Sequence, residues 1–427
     1  MNLEMTEQQR TAFDKFSRLK VGALFMKMGT GKTRVALKLA EYNKVNLLIY
    51  VCPFSCKSNI EDEFKKWKYE GEYKIVGYET LSMSDSKYLN LCDYMRGMNY
   101  VKEMIIADES IFIKNDSTIR FKRLCYLRKL CEYALILNGT PLTKNEWDLY
   151  NQMYFLSPKI IGMGREEFLN SFFKKITYKK KGRKEKSFYQ FSDVNSSMLT
   201  KMINPYVFEC DLEFDKKVTE EIHWIEPNSS TYEYEYKDIK NKYLKEYTDN
   251  ADSSSIINML QKLNLIAATD VNKMNALADY CRGKKVIIFT NFLKEIGMIE
   301  SRNLPLFPLV IFGDTPPKSR KEAIKMFLKS DSDFPLIITY GCGSFSLNLQ
   351  ECNEIVFSSL TFDYGKMEQA KARIKRIGQE KDIKYTYFLT DCGINRFILN
   401  NLDKKRNLDT LVKEKLVKGD NKWLKLI

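Results

Sequence analysis

Residues 23–37, with the sequence ALFMKMGTGKTRVAL, decide how the first part of this chain folds. The apolar GALFM predicts a buried strand, and TRVALKLAEY has the periodicity of an amphipathic helix. Between them lie five residues with the signature of a phosphate-binding loop, Gly29, Thr30, Gly31, Lys32 and Thr33. The strict pattern has a glycine where this chain has Met26, so a glycine turn without a ligand is the competing interpretation.

Three further apolar runs in the first third of the chain end in polar residues. They are NLLIYVCP, EMIIADES and YALILNGTP, which end at residues 53, 110 and 141. Short apolar runs between helical stretches are typical of buried parallel strands, and functional groups gather at the carboxyl ends of such strands. The pattern returns at 284–292, 308–314, 334–344, 353–360 and 384–390. We therefore predict the α/β class, with two parallel-sheet lobes.

The region between the two sets of strands differs in composition. Residues 229–266 predict charged helices with an apolar stripe, and residues 171–191 combine a basic run with aromatic residues. We predict a first lobe over 1–158, a mostly helical, basic insertion and linker over 159–270, and a second lobe over 271–427.

Composition narrows the classes of function. The net charge of +14 favours a polyanionic partner. His223 is the single histidine, which argues against His-dependent catalysis, and the ten cysteines contain no CxxC pair. The sequence contains no run of about 18 apolar residues, so it predicts no membrane span. The N-terminus lacks a signal-peptide pattern, so we expect a cytoplasmic location and no membrane partner.

An acidic pair at the end of a predicted strand completes a nucleotide site. In this interpretation Lys32 meets the β- and γ-phosphates of ATP, and Thr33 and Asp108 hold Mg²⁺. Glu109 orients or deprotonates the attacking water. The sequence therefore predicts ATP and Mg²⁺ as cofactors. The alternative is a glycine turn with an unrelated acidic pair.

Eight segments in a fixed order resemble those of superfamily-two helicase-type motors of the Swi/Snf group. These segments are EQQRTAF, VCPFSCKSNIEDEFKKW, VGYETL, DESIFIKNDST, LNGTPLTKNEWDLYNQMYFLSP, GKKVIIFTNF, LNLQECNEIVFSSL and EQAKARIKRIGQ. The last is the most specific, because its Arg-Ile-Gly-Gln ending separates this group from most other helicase relatives. The resemblance covers nearly the whole chain and implies two RecA-like lobes and an ATPase of the helicase-type motors.

The resemblance also assigns residues to the nucleotide. Gln9 resembles the adenine-contacting glutamine of these motors, and Gln369 lies at the spacing of a nucleotide-binding glutamine in the second lobe. Arg376 corresponds to the arginine finger, which stabilises charge in the transition state, and Arg373 is its neighbour. Their spacing predicts one helix that carries both arginines on one face.

DNA contacts are expected at phosphates, because a motor must work on any sequence. The candidates are Ser55, Lys57, Lys114, Thr290, Asn291 and Gly343. Thr140 and Asn348 are assigned to the coupling between the ATP state and the DNA grip. The chain departs from the group at Ile111, where a histidine is usual, and at Ser346, where a glycine is usual; in the group both positions lie where the ATP state is coupled to the DNA grip.

The basic run within 171–191 is a further candidate for DNA binding. Aromatic side chains interleave with its lysines, as in surfaces that bind nucleic acids, and the alternative is a solvated loop. Its central cations are Lys179, Lys180, Lys181 and Arg183.

We interpret the chain as an ATP-driven translocase on duplex DNA. It would remodel or branch-migrate DNA structures or displace bound proteins, and it would prefer duplex or branched DNA to single strands. A strand-separating helicase, a DNA clamp or loader subunit with weak hydrolysis, and an RNA motor are the alternatives. The chain is nearly all motor, which suggests a protein partner for targeting. Its size and Lys/Asn/Ile-rich composition suit a bacteriophage protein, active in the host cytoplasm.

Overall fold

A computed structural model describes residues 4–97, 102–139, 146–178, 186–250, 253–302, 309–330, 334–344, 347–404, 424 and 427. The chain forms two compact units, Met1–Glu213 and Phe214–Ile427. The boundary between them lies inside the segment predicted as an insertion. That segment therefore contributes to both units. Its role as an insertion and linker between the lobes stays a prediction.

The first unit is built on a six-stranded parallel sheet, which confirms the predicted α/β class for this part. The strands of this sheet are β1 Val21–Met26, β2 Leu47–Cys52, β3 Glu72–Gly77, β4 Glu103–Asp108, β5 Tyr133–Asn138 and β8 Val207–Cys210. Two further strands, β6 Phe173–Tyr178 and β7 Lys186–Phe191, form a separate hairpin. The order in the sheet is β3-β2-β4-β5-β1-β8. Every residue of β2 and β4 is buried, because helices cover both faces.

The helices of the first unit alternate with these strands. They are α1 Glu7–Phe16, α2 Lys32–Tyr42, α3 Lys57–Lys66, α4 Tyr78–Met83, α5 Asp85–Gly97, α6 Ile119–Leu130, α7 Glu146–Leu156, α8 Arg165–Phe172 and α9 Ser196–Ile203. The predicted helix after the glycine-rich loop is α2, and the predicted strand before the loop is β1. The local reading of residues 23–37 is therefore confirmed.

The second unit has the same architecture. Its strands are β9 Val218–Ile225, β10 Ile287–Thr290, β11 Leu309–Ile311, β12 Leu336–Thr339, β13 Glu354–Phe357 and β14 Ile383–Thr390. They form a parallel sheet in the order β11-β12-β10-β13-β14-β9. The helices are α10 Lys237–Asn250, α11 Ser253–Ala268, α12 Val271–Cys281, α13 Leu293–Glu300, α14 Pro317–Lys329, α15 Tyr364–Lys371 and α16 Gly393–Asp403. Two parallel-sheet lobes are thus confirmed.

Each sheet also has an edge strand that comes from the predicted insertion. β8 pairs with β1 in the first unit, and β9 pairs with β14 in the second. Sequence patterning missed both strands, because β8 is short and β9 is largely exposed and rich in charged residues. In the described parts of the chain, no helix has the length and apolar character needed to cross a membrane.

Candidate nucleotide-binding site

The loop between β1 and α2 has the backbone geometry of a tight phosphate cradle. Gly29 and Gly31 have φ values of 84° and 83°, in the left-handed region that favours glycine. Gly31 is the N-cap of α2, and no side chain caps this helix end. The first N–H groups of α2 are therefore directed into the loop, as in anion-binding sites at helix N-termini.

Gln9 is attached to this loop. Its side chain is buried, and its Nε2 donates a hydrogen bond to the Thr30 carbonyl over 2.8 Å. Its Oε1 accepts from the Thr6 N–H over 3.2 Å, in a capping box that begins α1. A Cβ on Gly31 would lie 2.4 Å from Gln9 Nε2, so the close approach requires glycine. Helix α1 thus fixes the position predicted to contact adenine, beside the loop predicted to hold phosphates.

Lys32 begins α2 and turns back over the loop. Its Nζ donates a hydrogen bond to the Met26 carbonyl over 3.1 Å. Gly139 follows β5, and a Cβ at this glycine would lie 3.4 Å from Lys32 Nζ. The Lys32 ammonium is therefore held at the carboxyl ends of β1 and β5.

Asp108 ends β4 and is 9% exposed. Its Oδ1 accepts from the Glu109 N–H and its Oδ2 from the Tyr50 hydroxyl, each over 2.9 Å. Tyr78 donates to the Asp108 main-chain carbonyl over 2.8 Å. Burial raises the pKa of Asp108 above its ordinary value, and the positive charge of Lys32 and the hydrogen bonds from Tyr50 and the Glu109 N–H oppose this rise. Lys32 and Asp108 therefore lie near enough for the charge of the lysine to act on the aspartate.

Glu109 has an unusual backbone conformation. Its φ of 52° is left-handed, which costs free energy for a residue with a Cβ. The half-buried residue begins the turn Ser110–Ile113, and the Phe112 N–H donates to its carbonyl over 3.0 Å. Strain of this kind persists only where the surroundings enforce it, and it often occurs at functional sites.

Two tyrosines of this cluster were missed by the sequence reasoning. Tyr50 and Tyr78 are completely buried, and both hydroxyls bond to Asp108. The available signal was a tyrosine inside the otherwise aliphatic run LLIYVC, because a buried phenol needs a polar partner.

The predicted DNA-contacting residues of the first unit lie near other strand ends. Ser55 is in the turn Phe54–Cys56, and Lys57 is the first residue of α3; both are half-buried. Lys114 is half-exposed, and its Nζ lies 3.8 Å from Asp148 Oδ2. Their roles stay predictions.

In the second unit, Thr290 and Asn291 lie at the end of β10. Thr290 is completely buried, which does not favour direct contact with DNA in this conformation. The Asn291 N–H donates to Glu295 Oε1 over 3.0 Å and to Ser359 Oγ over 2.9 Å. Gly343 lies in the turn Tyr340–Ser344 after β12.

The predicted helix through Arg373 and Arg376 is wrong. Helix α15 ends at Lys371, and both arginines lie in the turns that follow. The Arg373 N–H bonds to the Ala370 carbonyl over 3.1 Å, three residues back, so the helix tightens and stops. Arg373 is 3% exposed, and its Nη1 donates to the Leu347 carbonyl over 3.5 Å. The two arginines therefore differ in burial and do not share a helix face.

Arg376 is half-buried, and its Nε donates to the Ala372 carbonyl over 2.8 Å. Gln369 is half-buried on α15. Gln379 is the last residue of the motif EQAKARIKRIGQ. It is buried, and its Nε2 bonds to the Cys352 carbonyl over 3.0 Å, which ties the arginine-bearing turns to the chain before β13.

Several predicted positions lie outside the described residues, namely Thr140, Lys179, Lys180, Lys181, Arg183 and Ser346. Asn348 is described: it is exposed, and its Oδ1 accepts from the Gln350 N–H over 3.5 Å. Lys174 and Lys175 are exposed on β6, which pairs with β7 in an antiparallel hairpin.

Two family models match adjacent segments of the chain. The SNF2-related domain matches residues 71–271, and the Helicase conserved C-terminal domain matches residues 272–378. The chain belongs to the Swi/Snf group of superfamily-two helicase-like ATPases. The predicted resemblance to this group is therefore confirmed.

Curated relatives of the group are distant and longer. An uncharacterized ATP-dependent helicase of Mycoplasma pneumoniae is 24% identical over 407 residues, covering 85% of this chain and 37% of that protein. The DNA annealing helicase and endonuclease ZRANB3 of Mus musculus is 22% identical over 412 residues, covering 88% and 38%. Chromodomain-helicase-DNA-binding protein 1 of Homo sapiens is 22% identical over 408 residues, covering 88% and 23%. The chain thus spans well under half the length of these relatives.

Among solved structures, the chain is similar to the Sulfolobus solfataricus SWI2/SNF2 ATPase core in complex with dsDNA. The identity is 20% and the TM-score is 0.41, with 99% of this chain and 95% of that chain covered.

Proposed function

We propose that the chain is an ATP-dependent motor that acts on DNA. The observation that carries the proposal is the cluster at the carboxyl ends of β1 and β4, where the glycine loop, Lys32 and the buried Asp108 lie together. A helix N-terminus, a lysine and a strand-end aspartate are the parts that P-loop ATPases use for the phosphates and their cation.

Each residue of this cluster has a proposed task. Lys32 neutralises charge on the β- and γ-phosphates, and Glu109 orients the attacking water. The hydroxyl of Thr33 and the carboxylate of Asp108 are hard oxygen donors, which fit Mg²⁺. When bound with ATP, Mg²⁺ would neutralise charge that develops on the phosphates. Gln9, which lies against the loop, would contact adenine.

The second unit is proposed to respond to hydrolysis. Arg376, with Arg373 beside it in sequence, would stabilise the transition state when the lobes close, and Gln369 would contact the nucleotide. Cycles of closing and opening would move two DNA grips relative to each other. Thr140 and Asn348 would couple the two events.

DNA is proposed as the partner because two relatives are named as proteins that act on or bind DNA. The net charge of +14 supports a polyanion. Duplex or branched DNA is the proposed preference, with a further protein for targeting. A cytoplasmic location, expected from the sequence, belongs to the same proposal.

The deciding experiment measures ATP hydrolysis with no nucleic acid and with single-stranded, duplex, forked and four-way DNA, and with RNA. We expect the largest stimulation by duplex or branched DNA, and we expect it to fall steeply with salt. Equal rates under all conditions would contradict the motor and favour a clamp or loader with weak hydrolysis.

A strand-separating helicase is the second candidate, and the antiparallel hairpin of β6 and β7 favours it, because a hairpin would serve as the wedge between separating strands. Unwinding of forked DNA, measured beside triplex displacement from a plain duplex, separates the two candidates.

The basic run within 171–191 is proposed to bind DNA. Neutralising its central cations should weaken DNA binding and lower the salt slope by about one unit for each lost phosphate contact. These cations are Lys179, Lys180, Lys181 and Arg183.

A further inference from the structure

One hydrogen-bonded group in the first unit has no role in the mechanism described above. Tyr50 lies in the middle of β2 and is completely buried. Its hydroxyl donates to Asp108 Oδ2 over 2.9 Å. The phenol therefore holds one of the two side chains that are proposed to bind the divalent cation of ATP.

We propose that Tyr50 is a positioning residue for this cation: its hydroxyl holds the Asp108 carboxylate in one fixed orientation, ready to receive the metal. The inference rests on the proposed function, because it assumes that Asp108 and Thr33 serve a divalent cation.

The hydrogen bonds explain why the phenol matters for orientation. An aspartate side chain rotates easily about its last bond, because the torsion between sp³ and sp² carbons has broad wells. In this chain the Glu109 N–H holds Oδ1 and the Tyr50 hydroxyl holds Oδ2, so the plane of the Asp108 carboxylate is fixed. Each oxygen keeps a further lone pair for the metal or its water.

The magnitude follows from what outer hydrogen bonds do at metal sites. Removing a partner that orients a metal ligand typically lowers the metal affinity by about 10–100-fold. The site is buried, so water cannot readily replace the missing donor. A phenylalanine at position 50 keeps the aromatic ring and removes the hydroxyl alone, which makes the substitution specific.

Tyr78 provides a matched control. It is also completely buried, and its hydroxyl bonds to the same residue, over 2.8 Å. However, it donates to the main-chain carbonyl of Asp108 and leaves the carboxylate untouched. Tyr78→Phe therefore removes a buried phenol hydrogen bond of the same kind without freeing the proposed ligand.

The experiment measures the affinity for a fluorescent, non-hydrolysable ATP analogue during titration with Mg²⁺ and in EDTA, on the full chain. We expect Tyr50→Phe to raise the Mg²⁺ concentration for half-maximal enhancement by about 10–100-fold. The affinity in EDTA should equal that of the wild type, and Tyr78→Phe should titrate like the wild type.

Other outcomes overturn the inference in distinguishable ways. If the wild type binds the analogue with Mg²⁺ and Tyr50→Phe titrates like Tyr78→Phe, only the role of Tyr50 is contradicted. If Tyr50→Phe loses cooperative melting or loses binding in EDTA, the hydroxyl serves stability and the inference fails. If the wild type shows no Mg²⁺-dependent binding, the proposed function fails, and the inference fails with it.

Discussion

Replacing Glu295 by glutamine should strongly destabilise the second unit, because it removes the ion-pair partner of a buried lysine and leaves only the charge of Asp270 near it. Lys273 and Glu295 are both fully buried, and their charged atoms lie 3.7 Å apart. Lys273 Nζ also donates to the carbonyls of Ala268 and, over 2.6 Å, Ser358. These carbonyl groups remain after the substitution, whereas the negative charge of Glu295 is lost.

The size of the effect follows from burial and pairing. Burial lowers the pKa of Lys273 from 10.5 to about 8, although Glu295 and Asp270 oppose this shift. The charged form therefore already costs about 3 kcal/mol relative to water. Removing one partner of a buried ion pair typically costs about 3–5 kcal/mol. We expect Glu295→Gln to lie in this range at pH 7.

The double variant Lys273→Met with Glu295→Gln tests the origin of this cost. It removes both charges and so both desolvation penalties, and replacing a whole buried pair is often neutral. We expect the double variant to be clearly more stable than Glu295→Gln alone. Asp279→Asn on the same helix is the matched control, because its partner Arg282 and the aspartate are both exposed. We expect it to change stability by less than about 0.5 kcal/mol.

The pH dependence has a definite sign. The pKa of Lys273 is lower in the folded chain than in the unfolded chain, so between pH 8 and 10.5 the unfolded chain holds a proton that the folded chain has lost. Stability from this group therefore rises with pH across that window. Without Glu295 the pKa of Lys273 falls further, so the deficit of Glu295→Gln should shrink as the pH rises towards about 8, the pKa of Lys273 in the wild type, and stay constant above it.

Hydrogen exchange of the β10 and β13 amides measures the loss of stability in Glu295→Gln directly. The β2 and β4 amides of the first unit are the internal reference. A cost of about 3–5 kcal/mol corresponds to exchange faster by about 10²–10⁴-fold after correction for intrinsic rates. Unchanged protection of β10 and β13 in Glu295→Gln would refute the reasoning. A double variant as unstable as the sum of the two single variants would also refute it.

The remaining predictions concern the nucleotide. Lys32→Ala should abolish hydrolysis, whereas Glu109→Gln should keep ATP binding and stop turnover; normal turnover in either variant would contradict the assigned site. Arg376→Ala should keep ATP affinity and lower DNA-stimulated hydrolysis by about 10³–10⁵-fold, and Arg376→Lys should not rescue it, because one ammonium lacks the guanidinium fork. Retained stimulated turnover would place the finger elsewhere. Gly31→Ala should weaken nucleotide binding and cost about 1–2 kcal/mol in melting experiments, because φ is 83° and the added Cβ would meet Gln9; wild-type behaviour would contradict this geometry.

Local signals in the sequence determined the main elements of both lobes. Apolar runs such as LLIYVC form strands because both faces of a parallel sheet are buried, and that requirement is written in consecutive residues. The loop around Gly31 is local as well, since glycine tolerates the left-handed backbone that begins α2. The strand-end position of Asp108 follows from the same local pattern.

Burial and long-range pairing were decided only by the tertiary structure. Arg373 and Arg376 are three residues apart in sequence, yet one is buried and the other half-buried, because the helix ends before both of them and the chain turns between them. β9 pairs with β14 across more than 150 residues of chain, as Ile383 opposite Val218 illustrates. Neither outcome is encoded in a short window of sequence.

The environment of the candidate site shows the same division. The sequence predicts a lysine and an aspartate near one phosphate, because both follow from motif spacing. It does not predict that Tyr50, which is 58 residues before Asp108, donates to its carboxylate. It also does not pair Lys273 with Glu295, because their partnership depends on how α12 and α13 pack within the second unit. Local preferences fix which elements form, whereas packing decides which polar groups lose water together and must therefore satisfy one another.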